Sequence, residues 1–249
     1  MKCGSGKARA AVASLIAREY GITVSLVTVG RYLRAWGLSP QKPVRRAYER
    51  NDVAIARWLK KEYPAIARQA RRDKAAIYWG DEMGLRSDHV TGTSYAPVGR
   101  TPVIRATGQR FGCNMISAIT NKGALAFMVF QGKFKAPMFV AFLQRLLKQI
   151  AGKIYLIVDG HPVHQSGKAT RFAATYSARL RLIRMPGYCS EPNPDELLNQ
   201  DVKTNGLGTS RPTTRTELMA IVRSHWYRRQ KQPQMITNLF REQHVRDAA

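Results

Sequence analysis

The sequence has 249 residues, of which 44% are hydrophobic, and a formal net charge of +25. This length fits one large domain, or one medium domain with a small appendage, and the apolar fraction is sufficient for a buried core. A positive excess of this size calls for a polyanionic partner. Nucleic acid is the commonest such partner, and the sequence has no basic amphipathic segment directed at a membrane.

The cysteines Cys3, Cys113 and Cys189 lie far apart in the sequence. Their spacing argues against a disulfide scaffold and against a zinc site, and it suits a reducing cytoplasm. There is no signal peptide, and no apolar run approaches the ~20 residues that span a bilayer. We therefore expect a soluble intracellular protein.

The first 75 residues carry 17 Lys/Arg against 5 Asp/Glu. Apolar spacing predicts a helix over 10–20, a break at Gly21, and a second helix that Ser25 caps and Gly37 ends. A helix, a tight turn and a helix with outward arginines form the pattern of a helix-turn-helix. A plain pair of packed helices gives the same pattern, and the charge favours DNA binding.

The second helix has an apolar side and a basic side. Val29, Leu33 and Trp36 are expected to face inward, whereas Arg31 and Arg34 point outward and are candidate DNA contacts.

Residues 41–51 are basic and lack periodicity, so they are interpreted as a linker, in which Lys42, Arg45 and Arg46 are candidate DNA contacts. A helical stretch follows, with Ile55, Trp58, Leu59 and Tyr63 as its apolar positions. Near the carboxyl end, Arg228 and Arg229 lie in a basic stretch that is also expected to meet phosphates.

From residue 75 the pattern changes to alternating strands and helices. We predict strands over 76–80, 113–120, 124–130, 154–158 and 180–185, with a hairpin turn at 121–123. Helices are predicted over 136–150, 166–179 and 195–203. This order predicts an α/β fold in which helices flank a mixed sheet.

Carboxylates are scarce in this part of the chain, and Asp159 is the only one between positions 89 and 190. It follows the apolar strand IYLIV directly, and Asp81 likewise follows the predicted strand 76–80. Sites in open α/β sheets form outside the carboxyl ends of strands, so these two acids are expected to face each other from adjacent strands. Glu196 begins a helix after a loop rich in Pro and Asn and is the third candidate.

Clustered carboxylates repel one another unless a cation neutralises them. Mg²⁺ or Mn²⁺, which prefer oxygen ligands, are the natural counter-ions. Two such ions ~3.5–4 Å apart can activate a water or a 3′-hydroxyl and stabilise the leaving oxygen of a phosphodiester. The alternative is that these acids are helix caps and surface ion pairs.

Other polar residues are expected to have lesser roles. Asp195 is interpreted as a first-turn acid that complements a helix dipole, and Glu82 and Asp88 as structural or peripheral. His161 and His164 are interpreted as polar loop residues, with DNA or a metal shell as the alternative.

Six segments together resemble DDE transposases, and most of all the bacterial insertion-sequence branch of the mariner superfamily. They are WGDEMGLRSD (79–88), GRTPV (99–103), NMISAITNKG (114–123), FMVFQGKF (127–134), IVDGHPVH (157–164) and PGYCSEPNPDELLNQDVK (186–203). The resemblance implies an RNase H-like core that cleaves and transfers DNA strands with two Mg²⁺ or Mn²⁺ ions. The family's acids fall on Asp81, Asp159 and Glu196 as catalytic and metal-binding residues, with Asp195 as the alternative third acid if the loop register differs.

The resemblance also implies a domain division. We expect a small all-α helix-turn-helix segment over 1–40, with or without a wing, a basic linker and helix over 41–74, an RNase H-like catalytic domain over 75–205, and a basic helical extension over 206–249. Relatives carry a longer amino-terminal region, so we expect this chain to be N-terminally short.

Three functions remain open at this stage. The first is a transposase that acts on the terminal inverted repeats of an insertion sequence and on target DNA, as a homodimer or larger assembly in the bacterial nucleoid. The second is a catalytically inactive relic or repurposed DNA-binding protein. The third is an RNase H-like nuclease without strand transfer.

Overall fold

A computed structural model of the protein describes residues 3–39, 48–88, 95–101, 103, 107–187, 193–208, 210–242 and 245. The chain divides into two compact units, Met1–Ala47 and Tyr48–Ala249. Lys42, Arg45 and Arg46, the candidate DNA contacts of the linker, lie outside the described residues. No helix of the described residues is long and apolar enough to cross a membrane.

The first unit contains two helices, α1 (Cys3–Tyr20) and α2 (Leu26–Ala35). Gly21 has a φ of +68°, which ends α1. The Ser25 hydroxyl caps α2 by accepting the Thr28 N–H at 3.1 Å. The predicted pair of helices with its tight turn is therefore confirmed.

The inward side of α2 is only partly as predicted. Val29 is buried and Leu33 half-buried, but Trp36 is 69% exposed, so its predicted inward position is wrong. Trp36 is the capping residue that ends α2, and it stacks on Tyr32 one turn earlier, with ring centroids 5.9 Å apart. The chain has left the helical path at this residue, so helical periodicity does not place its side chain.

The second unit begins with helices that pack on one side of the sheet. They are α3 (Asp52–Arg57), a π-helical turn over Trp58–Glu62, and α4 (Tyr63–Arg72). These segments form one continuous helical run, in which Pro64 follows the π-helical turn and removes one backbone N–H. Ile55, Trp58 and Tyr63 are buried, as predicted.

The sheet has five strands in the order β3-β2-β1-β4-β5. The strands are β1 (Ala76–Arg86), β2 (Gly112–Ile119), β3 (Leu125–Phe130), β4 (Ile154–Val158) and β5 (Leu180–Arg184). The first three pair antiparallel, and β4 lies parallel to both β1 and β5. The predicted mixed sheet is confirmed, including the 121–123 turn, where Gly123 has a φ of +85°.

Helices cover both faces of the sheet. The remaining helices are α5 (Ala136–Gln149), α6 (Gly167–Thr175), α7 (Pro194–Asp201), α8 (Arg215–Gln230) and α9 (Pro233–Leu239). On one face, Trp226 of α8 packs with Trp79 and Phe127 in the first core. The second core contains Phe139 and Leu143 of α5 together with Leu156 of β4. Because both faces are covered, β4 is apolar throughout, as the run IYLIV predicts.

Strand β1 is longer than predicted, because it continues to Arg86 rather than ending at Gly80. Strand β4 stops at Val158, but β2 goes on pairing with β1 from Asp81 opposite Ser117 to Arg86 opposite Gly112. Asp81 therefore lies inside a strand, at the position where β1 passes the end of its parallel neighbour. An apolar run marks only the part of a strand that is buried on both faces, so the sequence did not show the remainder.

Asp201 joins the end of α7 to α8. Its carboxylate accepts hydrogen bonds from His225 Nε2 and from Arg229 Nε and Nη2, all at 2.7 Å, and from Asn205 at 2.8 Å. Burial acts to raise the pKa of this carboxyl, but the bonds from His225, Arg229 and Asn205 outweigh it and hold the pKa far below its usual value. The network anchors α7, the helix that carries Glu196.

We predict that Asp201→Ala lowers the free energy of unfolding by about 3 kcal/mol, because it leaves His225 and Arg229 without their buried carboxylate. Urea denaturation followed by circular dichroism measures the loss. The control is Asp88→Ala, which removes an exposed ion pair with Arg86 and is expected to change stability little. Equal losses in the two variants would contradict a special role for the Asp201 network.

Candidate active site

Asp81 lies next to the end of β4. The parallel register pairs Trp79 with Ile157, so two residues further along Asp81 comes level with Asp159. The Asp81 carboxylate accepts the Glu82 N–H at 2.9 Å on Oδ1 and the Asn199 amide at 2.7 Å on Oδ2. The two acids meet across neighbouring strands, as predicted, although only Asp159 lies at a strand end.

The surroundings of Asp81 disfavour its negative charge. Burial, followed by the charges of Glu196 and Asp159, raises the pKa of Asp81 to about 7, and the hydrogen bonds from Glu82 and Asn199 offset this only in part. Asp81 is thus close enough to each of the other two predicted acids to be repelled by both. Such a cluster is relieved either by a proton or by a cation.

Asp159 has the opposite balance. Burial alone would raise its pKa, but the hydrogen bonds from His164 and from the His161 N–H, together with nearby positive charge, bring the pKa below its usual value. His164 Nδ1 lies 2.8 Å from Asp159 Oδ1, and the His161 N–H donates to the same oxygen at 3.0 Å. The side chain is 43% exposed, so Asp159 stays ionised and reachable from solvent.

Glu82 was expected to be structural or peripheral, and of these the peripheral alternative is wrong, because Glu82 lies beside His164 and Asp159. Its oxygens lie 3.4 Å from His164 Nε2 and 3.9 Å from His161 Nε2. Burial raises the pKa of Glu82 to about 7, with Asp159 and Asp81 adding to the rise and His164 opposing it. Within the described residues, Glu82, Asp159 and His164 form the group that brings three metal-binding atoms within 4.8 Å of one another.

His164 is not a polar loop residue, because its side chain is 0% exposed. It lies on a 3₁₀ turn over Pro162–Gln165 that His161 caps by accepting the Val163 N–H. The prediction treated the segment after Asp159 as open loop. Proline at the start of the turn and a cap one residue earlier were the sequence signals for a short helix.

The first turn of α7 places Glu196 and Asn199 on the same side of the helix, three residues apart. Glu196 is exposed, and its charge acts on Asp81, to which Asn199 donates a hydrogen bond. Asn193 caps the helix by accepting the Asp195 N–H on Oδ1. Its side-chain amide also donates to the Gly80 carbonyl of β1 at 3.4 Å. Through these contacts α7 brings a third acid to the end of β4.

Asp195 lies in the first turn of α7, as predicted, but it is buried and is not a surface residue. It is 0% exposed, its Oδ2 accepts the Ser117 hydroxyl at 2.7 Å, and Oδ1 has no hydrogen-bond partner among the described residues. Burial and the charge of Asp81 raise its pKa well above the usual value. Asp195 is therefore a buried core residue, whereas its neighbour Glu196 is exposed.

The described candidates for DNA contact differ in whether their side chains are already bound within the protein. Arg31, Arg34 and Arg228 are exposed, whereas Arg229 is bound by Asp201 through two nitrogens and by Gln232 through a third. Asp88 pairs with Arg86 at the surface, as expected of a peripheral residue.

A mixed five-stranded sheet, with carboxylates gathered where β1 passes β4 and a third on a covering helix, defines a nuclease-type site on an RNase H-like fold. The family model described as DDE superfamily endonuclease matches residues 76–219. This is more than half of the chain, which therefore belongs to the DDE superfamily of endonucleases. A second model, described as winged helix-turn helix, matches residues 8–62.

Solved structures of a mariner transposase share the fold. A pre-cleavage Mos1 transpososome aligns with a TM-score of 0.62 at 13% identity, covering 97% of this chain and 79% of that one. The Mos1 strand transfer complex gives 0.61 at 14% identity, with coverages of 97% and 78%. A Mos1 paired end complex with Mg gives 0.59 at 16% identity, with coverages of 97% and 79%. Comparison with curated proteins gives no match.

These comparisons confirm the resemblance to DDE enzymes and the RNase H-like fold. The donor set also fits a hard divalent cation, because it consists of carboxylate oxygens whose mutual repulsion a cation would relieve. The partial exposure of Asp159 provides access for an ion that keeps some of its water ligands.

The raised pKa values predict how stability depends on pH without metal. Asp81 and Glu82 hold protons in the folded chain up to about pH 7, whereas the unfolded chain releases them near pH 4. Their contribution is complete below pH 4 and is lost as the pH rises through 7. The lowered pKa of Asp159 has the opposite sign, but it acts below this window.

We therefore expect the melting temperature in a chelator to fall as the pH rises from about 4 to 7, and added Mg²⁺ to recover the loss at pH 7. For Asp81 the effect is at most about 4 kcal/mol, since one pKa unit corresponds to about 1.4 kcal/mol. Thermal melts of the parent and of Asp81→Asn measure it, and the variant should show the smaller fall. A variant with the same pH dependence as the parent would contradict the cause given for the Asp81 shift.

Proposed function

We propose that this protein is a transposase that cleaves and joins DNA strands at the terminal inverted repeats of an insertion sequence. The observation that carries the proposal is the register that brings Asp81 level with Asp159 beyond the end of β4, together with the charges of Asp159 and Glu196 that act on Asp81. Membership of the DDE endonucleases and the fold shared with the Mos1 complexes support it.

We assign the catalytic and metal-binding roles to Asp81, Asp159 and Glu196. Asp81, Asp159 and Glu196 would together hold two Mg²⁺ or Mn²⁺ ions. The charges of Glu196 and Asp159 both act on Asp81, and bound cations would relieve this repulsion. The ions would activate the attacking hydroxyl and stabilise the leaving oxygen of the phosphodiester.

The remaining residues prepare this arrangement. Asn199 and the Glu82 N–H orient the two oxygens of Asp81. The buried Asp195 holds α7 against β2 through Ser117, so that Glu196 is presented at the surface. The Asp201 network holds the far end of the same helix.

For DNA binding we assign Arg31, Arg34 and Arg228, and also Lys42, Arg45 and Arg46 outside the described residues. Arg229 is retained as a candidate only if its ion pair with Asp201 opens. The division into 1–40, 41–74, 75–205 and 206–249 remains our proposal, as do a homodimer or larger assembly on DNA and action in a bacterial nucleoid.

We predict that Asp159→Asn and Glu196→Gln each reduce cleavage of DNA that carries the terminal repeats by at least about 1,000-fold. This corresponds to a loss of about 4 kcal/mol of transition-state stabilisation. Both variants should bind the same DNA as tightly as the parent. Nicking assays in Mg²⁺ and Mn²⁺, with binding measured in a chelator, provide the two quantities.

Two matched controls separate the triad from other acids. Asp88→Asn, on the same polypeptide segment as Asp81 but at the surface, should cleave like the parent. Asp195→Asn keeps the shape of the buried side chain and its acceptor for the Ser117 hydroxyl, so its loss should be less than about tenfold. If Asp195→Asn loses activity and Glu196→Gln does not, the third acid is Asp195. A parent that binds DNA without cutting it supports an inactive relic, and cutting without strand joining supports a plain nuclease.

A further prediction concerns α2. Arg31→Gln combined with Arg34→Gln should weaken DNA binding and reduce the slope of log K against log salt by about 2, since each lost phosphate contact removes about one unit. Fluorescence anisotropy titrations at several salt concentrations measure the slope. Arg18→Gln is the control, because Arg18 is exposed on α1 but paired with Glu19. An unchanged slope in the double variant would mean that α2 does not meet the backbone.

A further inference from the structure

His164 has an environment unlike that of a loop histidine. Its imidazole is completely buried, with ring centroids 4.6 Å from Phe139 of α5 and 5.6 Å from Phe134. These aromatic rings leave the imidazole little freedom to rotate. Both ring nitrogens nevertheless face carboxylates, which makes this buried group part of a polar chain rather than an apolar filler.

The Nδ1 side of the ring lies against the carboxylate of Asp159. Nδ1 lies 2.8 Å from Asp159 Oδ1, and the His161 N–H donates to the same oxygen. Among the described residues, no hydrogen bond reaches Asp159 Oδ2. One oxygen is thus held by the protein, and the other is left to face the partly exposed end of β4, where an ion would bind.

The Nε2 side of the ring faces Glu82. Nε2 and Glu82 Oε2 are 3.4 Å apart, both are buried, and among the described residues neither has a hydrogen-bond partner. Two acceptors in this position would repel each other, so one proton must lie between them. When Glu82 carries that proton, Nε2 accepts it and the neutral imidazole carries its own hydrogen on Nδ1, towards Asp159, so Glu82 determines which nitrogen serves Asp159.

We propose that Glu82 and His164 are positioning residues that orient Asp159 for metal binding, as a chain Glu82–His164–Asp159. The proposal rests on the proposed function, since it assigns these residues to the same metal site. A donor behind a ligating group fixes its orientation, and loss of such a donor typically weakens metal binding 10–100-fold. Neither residue contacts the reacting atoms in this scheme.

A direct role as ligands is the alternative, because Glu82, Asp159 and His164 bring their atoms within 4.8 Å of one another. Two observations favour positioning. Nδ1 is already at hydrogen-bond distance from Asp159, and Nε2 lies in a fully buried side chain where an ion such as Mg²⁺ could not keep its water ligands.

The test compares substitutions that replace one nitrogen at a time. The amide of His164→Asn can reach the position of Nδ1, whereas the amide of His164→Gln reaches that of Nε2. Mn²⁺ affinity is measured on the full chain without DNA by electron paramagnetic resonance, together with the melting temperature. Asp159→Asn serves as the reference for a lost ligand, and His225→Gln as the control for a buried histidine outside the site.

We expect His164→Gln to bind Mn²⁺ 10–100-fold more weakly than the parent, and His164→Asn to recover about tenfold of that loss. His225→Gln should lower the melting temperature without changing Mn²⁺ affinity. Glu82→Gln, which can still donate to Nε2, should bind Mn²⁺ much more tightly than Asp159→Asn.

Several results would overturn the proposal. Equal Mn²⁺ affinity in the parent and both His164 variants would remove the positioning role. Equal losses in the two variants, in step with their melting temperatures, would make the role structural only. Loss of Mn²⁺ in Glu82→Gln to the level of Asp159→Asn would make Glu82 a ligand, whereas a parent that binds no Mn²⁺ would overturn the proposed function as well.

Discussion

The arrangement of the site depends on the early end of β4. Strand β4 stops at Val158, while its parallel neighbour β1 continues with β2 alone to Arg86. Beyond that point β1 has a neighbour on one side only, and both Asp81 and Asp159 lie there. A longer β4 would have paired with Asp81 and closed the space in which the acids meet.

The second determinant is the way in which α7 is seated. Asn193 caps the helix and reaches the β1 backbone, Asp195 is buried against Ser117, and Asp201 is bound by α8. Three polar contacts thus fix the helix at its beginning, beneath its first turn and at its end. Buried polar groups of this kind favour one arrangement over others because an unpaired alternative is costly. The exposed Glu196 is placed precisely by neighbours that do no chemistry themselves.

Without a cation the buried carboxylates repel one another, and this repulsion lowers the stability of the folded chain. Burial raises the pKa of both Asp81 and Glu82, and the neighbouring carboxylates add to the rise. Asp159 escapes it because hydrogen bonds from the 3₁₀ turn stabilise its charge. Asp159 is therefore ionised and ready to bind a metal at neutral pH, whereas Asp81 and Glu82 would release a proton when a metal binds.

The sequence by itself determined the elements that local patterns specify. The apolar run of β4, the cap at Ser25, the 121–123 turn and the isolation of Asp159 each reflect short-range rules of burial or backbone geometry. These were sufficient for the mixed sheet, the two amino-terminal helices and the expectation that Asp81 and Asp159 would meet. The third acid came from a resemblance, since no local pattern distinguishes Glu196 from Asp195.

Only the tertiary structure decided which side chains are buried and which share a site. Glu82 was interpreted as structural or peripheral, and nothing local shows that it lies beside His164 and Asp159. His164 was interpreted as a loop residue, and nothing local shows that α5 covers it with Phe139. Asp195 and Glu196 are adjacent in sequence but face opposite ways, because Ser117 accommodates one and the open end of β4 the other. Each of these outcomes depends on contacts between residues far apart in the chain, and secondary-structure patterns do not contain that information.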